Sequence, residues 1–204
     1  MLSVHDLAAR RGHSELFAGV AFSVPQGEAL VVTGANGAGK TTLLRILAGL
    51  SAPARGETLW QGIRYKPFDE RIRAAIAFVG HAPSLKDELT TEENLVALAT
   101  LAGERPAPGE IDEALAVVAL SRQRALPARS LSQGQRRRVG LARLRLVKRP
   151  LWILDEPVTA LDAAGAALME SLMAAHLDRG GIAIAATHQP LGLPPARCGS
   201  LALT

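Results

Sequence analysis

Only one cysteine, Cys198, occurs in the 204 residues, so no internal disulfide can form. That fits a reducing compartment. Long apolar runs are missing too. A bilayer span needs ~18–20 apolar residues, and the longest candidates, ALAVVAL at 114–120 and IAIAA at 182–186, are far shorter. The opening MLSVHDLAARRG places His5, Asp6 and two arginines where a secretory signal needs an unbroken apolar stretch. The expectation is a chain that is soluble, or that lies on a membrane only through a partner. A large excess of one charge is also lacking: 23 Lys and Arg against 19 Asp and Glu leave +4. Both signs are mixed along most of the chain, unlike a nucleic-acid module that gathers its charge on one face. A basic surface could equally lie near anionic lipid.

What is present suits one domain with a lobe inserted, and 48% hydrophobic residues can build a sizeable core. EALVVTG (28–34), AIAFVG (75–80), LWILD (151–155) and GIAIAATH (181–188) read as buried strands. TTLLRILAG (41–49) is helical and stops at Gly49. TTEENLVALATLAG (90–103) and EIDEALAVVAL (110–120) are helical, with ERPAPG as a loop between them. A third helix runs from 132 to about 147, and a fourth, AAGAALMESLMAAHLDRGG (163–181), closes on two glycines. Strands and helices thus alternate at both ends around a helical block from roughly 85 to 148. That order predicts an α/β core with a helical insertion. No internal repeat occurs. The tail PLGLPPARCG reads as irregular and leads into a short apolar end, SLALT, with no room for a further domain.

GANGAGKT (34–41) fits G-x-x-x-x-G-K-[ST], between an apolar strand and a helix. Gly34, Gly37 and Gly39, with Ala35, Asn36 and Ala38 between them, let backbone N–H groups turn inward around an anion. The helix starting near Lys40 points its positive end at phosphates. Lys40 is expected to reach the β- and γ-phosphates and Thr41 to ligate Mg²⁺, with Thr42 beside it in the ATP site. WILDEP (152–157) ends an apolar strand in two carboxylates. Asp155 can orient Mg²⁺, and Glu156 can accept a proton from attacking water. Kinases, GTPases and mechanical ATPases share such a site, but no N/T-K-x-D guanine reader is present.

LSQGQ (131–135) resembles the signature motif of ATP-binding cassette (ABC) ATPases. The resemblance covers nearly the whole chain in the family's order. GANGAGKT is similar to the Walker A loop, WILDEP to the Walker B strand, TALD (159–162) to the D-loop, and His188 to the switch histidine that helps Glu156. The residues agree: Ser132-x-x-Gln135 is a capping-box pattern that should start a helix, and Ser132, Gly134 and the helix dipole can hold an anion. The resemblance implies an ABC-type P-loop ATPase core, a RecA-like mixed sheet flanked by helices, spanning 1–84 and 149–204. It implies an inserted α-helical signature subdomain over 85–148. It also implies that Ser132, Gly134 and Gln135 close over ATP held by a second copy. Two chains would then sandwich two ATP molecules, with Asp162 linking the sites. The arginines at 136–138 are expected on a solvated or interdomain face with acidic partners, ahead of a membrane partner or nucleic acid.

Two positions depart from the common pattern. His81 stands where the family carries glutamine, counting back from ELTTEEN; it is a candidate contact to metal-bound water or to the transport partner. Arg11, in LAARRG, stands where an aromatic residue stacks on adenine, and its guanidinium plane can stack instead. The other histidines, His5, His13 and His176, read as surface residues. GHAPSLKDELTTEENL, LSQGQRRRVGLARL, PLWILDEPVTALD and ATHQPL look like the ATP-binding subunits of cytochrome c maturation systems. That implies a CcmB-type integral-membrane partner contacted around 81–95. It implies a peripheral place on the cytoplasmic face of a bacterial inner membrane and a role in haem export or delivery. No C-x-x-C-H haem-attachment motif occurs. Another small-molecule exporter remains open. A soluble ABC protein acting on nucleic acid would have two cassettes or a long coiled coil, and a small-molecule kinase leaves LSQGQ, TALD and His188 unexplained.

Overall fold

The computed structural model describes residues 1–203. Nine strands sort into two sheets. β1 (Leu2–Arg11), β2 (Ser14–Val24), β4 (Arg55–Trp60) and β5 (Ile63–Arg64) pair antiparallel in the order β2-β1-β4-β5. β3 (Ala29–Gly34), β6 (Ile76–Val79), β7 (Leu151–Asp155), β8 (Ile182–Ala186) and β9 (Cys198–Leu203) pair parallel in the order β6-β7-β8-β3-β9. A parallel sheet is covered on both faces, so its strands read as unbroken apolar runs. All five residues of β7 and all five of β8 are buried.

Alternate side chains of that sheet feed two cores. Ile153 and Ile184 pack with β1, β2 and the helix α1 (Lys40–Leu47), whose Leu43, Leu44, Ile46 and Leu47 are buried. Each such side chain contributes ~1.5–3 kcal/mol of burial. Trp152, Leu154, Ala183 and Ala185 face the opposite way. They pack on α5 (Gln133–Leu146) and α6 (Ala163–Asp178). A third apolar cluster joins α3 (Thr91–Leu101), α4 (Pro108–Val117) and α5. α5 serves both layers: Leu141 and Leu144 face the parallel sheet, while Val139, Ala142 and Leu146 face α3 and α4.

The expected strands and helices of the two ends are present. The tail is a correction: Cys198 and Gly199, the end of the stretch read as irregular, join the apolar residues 200–203 in β9, which pairs in parallel with β3 from Ala29↔Cys198 to Gly34↔Leu203. A short apolar run after two prolines gives no local sign of a partner some 170 residues earlier. β1, β2, β4, β5 and the short α2 (Glu70–Ala75), capped by Asp69, had no clear sequence signal. Register shifts between Val4 and Arg10 break the period-2 alternation of β1. α4 begins inside ERPAPG, because Pro108 is tolerated in the first turn.

His176 is a second correction. It is not on the surface but 5% exposed, its ring stacked on Trp152 with centroids 3.9 Å apart and planes 8° off parallel. Nε2–H donates to the Ile182 carbonyl at 3.1 Å. A Cβ on Gly181 would lie 2.3 Å from the ring, so only glycine fits there. Burial pushes the imidazole down from 6.5 to about 4. Since the folded value lies below the unfolded one, the unfolded chain binds the extra proton first. Stability from this site is whole above pH 6.5 and falls by ~3 kcal/mol as pH drops from 6.5 to 4. Urea melts at pH 7.5 and pH 4.5 measure it. His176→Gln should reduce the difference between the two pH values, and an unchanged difference would remove His176 as its cause.

Candidate nucleotide-binding and hydrolysis site

The phosphate loop leaves β3 at Gly34 and enters α1 at Lys40. Gly39 is the helix N-cap in the left-handed region, φ +96°, and makes no side-chain cap. A Cβ there would sit 2.9 Å from the Phe17 ring. Glycine therefore lets the loop close on β2 while the first amides of α1 have no side chain competing for them. Lys40 Nζ donates to the carbonyls of Gly34 at 2.6 Å and Ala35 at 3.1 Å. The Thr41 hydroxyl donates to Asp155 Oδ2 at 2.9 Å, joining loop and β7.

A cavity of about 250 Å³ lies against this loop. Asn36, Gly37, Gly39, Lys40, Thr41 and Thr42 line it together with Arg11, His81, Asp155 and Glu156. The fold thus brings Arg11, from the end of β1, and His81, just beyond β6, to the same place as both carboxylates. Gly34, Ala35 and Ala38 shape the loop without lining the cavity. Glu156 has a positive φ of 51°, a conformation costing a non-glycine residue ~1–3 kcal/mol. Its N–H donates to the Ala186 carbonyl at 2.8 Å. Its carboxylate accepts from the Thr159 hydroxyl at 3.2 Å and lies 3.9 Å from His188 Nε2.

The signature turn forms as its capping box predicts. Ser132 is the N-cap of α5; its Oγ accepts from Gln135 N–H at 3.2 Å, and Gln135 Oε1 accepts from Ser132 N–H at 2.9 Å. A Cβ on Gly134 would be 2.9 Å from the Ala160 carbonyl, so the turn and the 159–162 loop pack backbone to backbone. A separate cavity of about 380 Å³ opens here, lined by Ser132, Gly134, Gln135, Arg138, Ala160 and Asp162 among others. It shares no residue with the phosphate-loop cavity. Asp162 caps α6 through Gly165 N–H at 2.9 Å and pairs with Arg138. Those two contacts, the Gly165 N–H first, hold its carboxyl below the usual range.

The three arginines separate. Arg136 pairs with Asp87 at 2.6 Å and Arg138 with Asp162, as expected of a charged face. Arg137 is a correction: it is 3% exposed and has no place on a solvated face. It donates to the carbonyls of Gly80 at 2.8 Å, His81 at 2.9 Å, Asp155 at 2.6 Å and Pro157 at 3.5 Å, and to that of Glu156. Burial pushes its pKa down against the pull of Asp155 and Glu156. The charge run hid it, but spacing marks it: residues 137, 141 and 144 fall on one helical stripe, and Leu141 and Leu144 are buried. Thr159, which bonds Glu156, opens the TALD stretch, in which the sequence singles out only Asp162.

The model of a family described as ABC transporter matches residues 17–159. The "Cytochrome c biogenesis ATP-binding export protein CcmA 2" of Cupriavidus metallidurans is 46% identical over 191 residues, 94% of this chain and 90% of its own length. The CcmA protein of Dechloromonas aromatica is 45% identical over 203 residues, covering both chains in full. Among solved structures, an ABC transporter ATP-binding protein from Pyrococcus furiosus superposes with a TM-score of 0.85 at 26% identity, covering 99% of this chain and 96% of its own. A dimeric ATP-binding cassette in a post-hydrolysis state, bound to ADP and phosphate, gives 0.81 at 25% identity, covering 93% and 88%. Motif order, sheet topology and full-length similarity agree: the chain belongs to the ATP-binding cassette family of transporter ATPases, in its cytochrome c biogenesis branch.

Proposed function

We propose that this chain is the energy-coupling ATPase of an export complex for c-type cytochrome biogenesis, working as a head-to-tail pair. The observation that carries the pairing is the separation of the two cavities. The signature turn offers a capped helix N-terminus to an anion, yet it lines no part of its own chain's phosphate-loop cavity. A second copy related by a closed two-fold axis would bring each signature turn to the other chain's phosphates. Asp162, beside the signature cavity, would then connect one site to the other.

Within one site, the α1 amides and Lys40 bind the phosphates, and Arg11 is placed to stack on the base. The Thr41 hydroxyl and Asp155 carboxylate, in contact at 2.9 Å, are hard oxygen donors. Among the described residues no cluster of three or more His, Cys, Asp or Glu gathers around a metal. Two protein donors, with phosphate oxygens and water completing the shell, suit Mg²⁺, and Thr41 and Asp155 would hold it. When bound, Mg²⁺ neutralises charge that builds on the phosphates. Glu156 takes the proton of the attacking water. His188 Nε2, 3.9 Å from the Glu156 carboxylate, would orient it, and His81 lines the same cavity as Glu156.

No helix among the described residues is long and apolar enough to cross a membrane. From the likeness to the cytochrome c biogenesis ATP-binding export proteins, we place the chain on the cytoplasmic face of the inner membrane through a CcmB-type subunit, contacted near 81–95. Residues 85–148 would move as the helical signature subdomain against the nucleotide-binding core. The relatives' names favour export in cytochrome c biogenesis, and our reading of the cargo is haem or a related species. The test is an affinity pull-down from detergent-solubilised host membranes. Recovery of a multi-helix cytochrome c maturation protein is expected, with crosslinks in 81–95. An unrelated permease, or ribosomal proteins alone, would overturn the pathway and leave the ATPase.

A further inference from the structure

We infer that Arg137 is a positioning residue that fixes the hydrolytic base Glu156 and the His81 loop to the signature helix. The inference rests on the reading of Glu156 as the base. A buried arginine ordinarily pairs with a carboxylate. Arg137 instead spends its donors on main-chain carbonyls from two segments, 80–81 and 155–157. The neighbouring carboxylates stay free of it: Asp155 accepts from Thr41, and Glu156 accepts from Thr159 and faces His188. The backbone is anchored while the charges needed at the phosphates are not consumed.

The anchor matters most at Glu156, whose positive φ persists only where the surroundings over-determine it. One restraint is its own N–H bonded to Ala186. The other is its carbonyl, which accepts from Arg137 and from the Thr159 N–H at 3.2 Å. Without the guanidinium, the Glu156 carbonyl keeps only the local Thr159 N–H, its tie to α5 is lost, and the carbonyls of Asp155 and Pro157 lose the guanidinium with it. The peptide can then relax and carry the carboxylate away from the attacking water, where a misplacement of about 1 Å costs on the order of 10²-fold. The same guanidinium holds the Gly80 and His81 carbonyls, so the two segments that bring His81 and Glu156 to the phosphate-loop cavity are set from one point on α5. That point lies two residues beyond Gln135 of the capping box. A lysine cannot replace it, because a point charge does not span two segments as a planar fork does.

The experiment compares Arg137→Gln and Arg137→Lys, each alone and in a Glu156→Gln background, in the ATPase co-purified with its membrane partner. Rates are normalised to folded protein by circular dichroism and melting temperature. Arg137→Gln should lower kcat by about 10²-fold with KM for ATP changed less than about threefold, because the phosphate loop keeps its contacts. Arg137→Lys should fall between. In the Glu156→Gln background neither substitution should lower the residual rate further, since the group being positioned is gone. An equal loss in both backgrounds, a rise in KM at constant kcat, or a wild-type rate from a folded variant would each overturn the inference. If Arg137→Gln does not fold, Arg137→Lys carries the same comparison. A wild-type rate from Glu156→Gln alone would instead remove Glu156 as the base, a separate failure.

Discussion

Glu156→Gln should lower ATP hydrolysis by ~10²–10⁴-fold and leave ATP bound. Glutamine keeps the shape of the side chain and can still take the Thr159 hydroxyl bond seen at 3.2 Å. It cannot take a proton from water. The binding groups lie elsewhere: Lys40 on the loop carbonyls, Thr41 on Asp155, and the uncapped start of α1. Binding and hydrolysis are therefore separable at this residue. Two chains that bind ATP but do not cleave it should accumulate as a closed pair. Sedimentation with ATP in excess reads the pair, and single-turnover hydrolysis reads the chemistry. A loss below about tenfold would move the base to another group, with His188 the nearest candidate at 3.9 Å. A monomer that stays monomeric under saturating ATP would sink the sandwich for the isolated subunit.

The parts of the site that the sequence made legible are those where one local segment carries the whole function. The loop from Gly34 to Thr41 needs only a strand before it and a helix after it, and both lie within reach of the motif. α5 could be placed within a residue because Ser132 and Gln135 cap it reciprocally. β7 and β8 stood out because a doubly covered strand is apolar throughout. What stayed hidden depends on partners remote in sequence. β9 is a strand because β3 offers it an edge. β1 and β2 are bulged and half-exposed, so their alternation is blurred. His176 is polar by composition and buried by shape, through Trp152 on one ring face and Gly181 close to it. Arg137 is indistinguishable from Arg136 and Arg138 in composition, and only its place on the Leu141 and Leu144 stripe sets it apart. The Arg11 and His81 substitutions were visible as departures, and the fold puts both side chains at the phosphate-loop cavity.

Mixing two inactive variants should restore hydrolysis. Lys40→Ala removes the phosphate cation of a chain's own loop. Gly134→Asp puts a carboxylate where the signature turn should meet an anion, and its Cβ would crowd the Ala160 carbonyl at 2.9 Å. Each variant alone should lose hydrolysis by ~10²-fold or more, a loss typical of removing a preorganised electrostatic group. Gly134→Asp should keep ATP affinity within a few-fold, since none of the residues lining the phosphate-loop cavity belongs to the turn. Random pairing then makes half of all dimers mixed. In each mixed dimer one site combines both defects, and the other has an intact loop from one chain and an intact turn from its partner. If the two sites fire independently, about a quarter of wild-type activity returns on mixing, a consequence of closed two-fold symmetry alone. A chain that completed its own site could not be rescued in this way, because every loop would remain with its own turn. Activity that stays at the sum of the two variants, in mixtures shown by crosslinking to contain mixed dimers, would exclude independent composite sites.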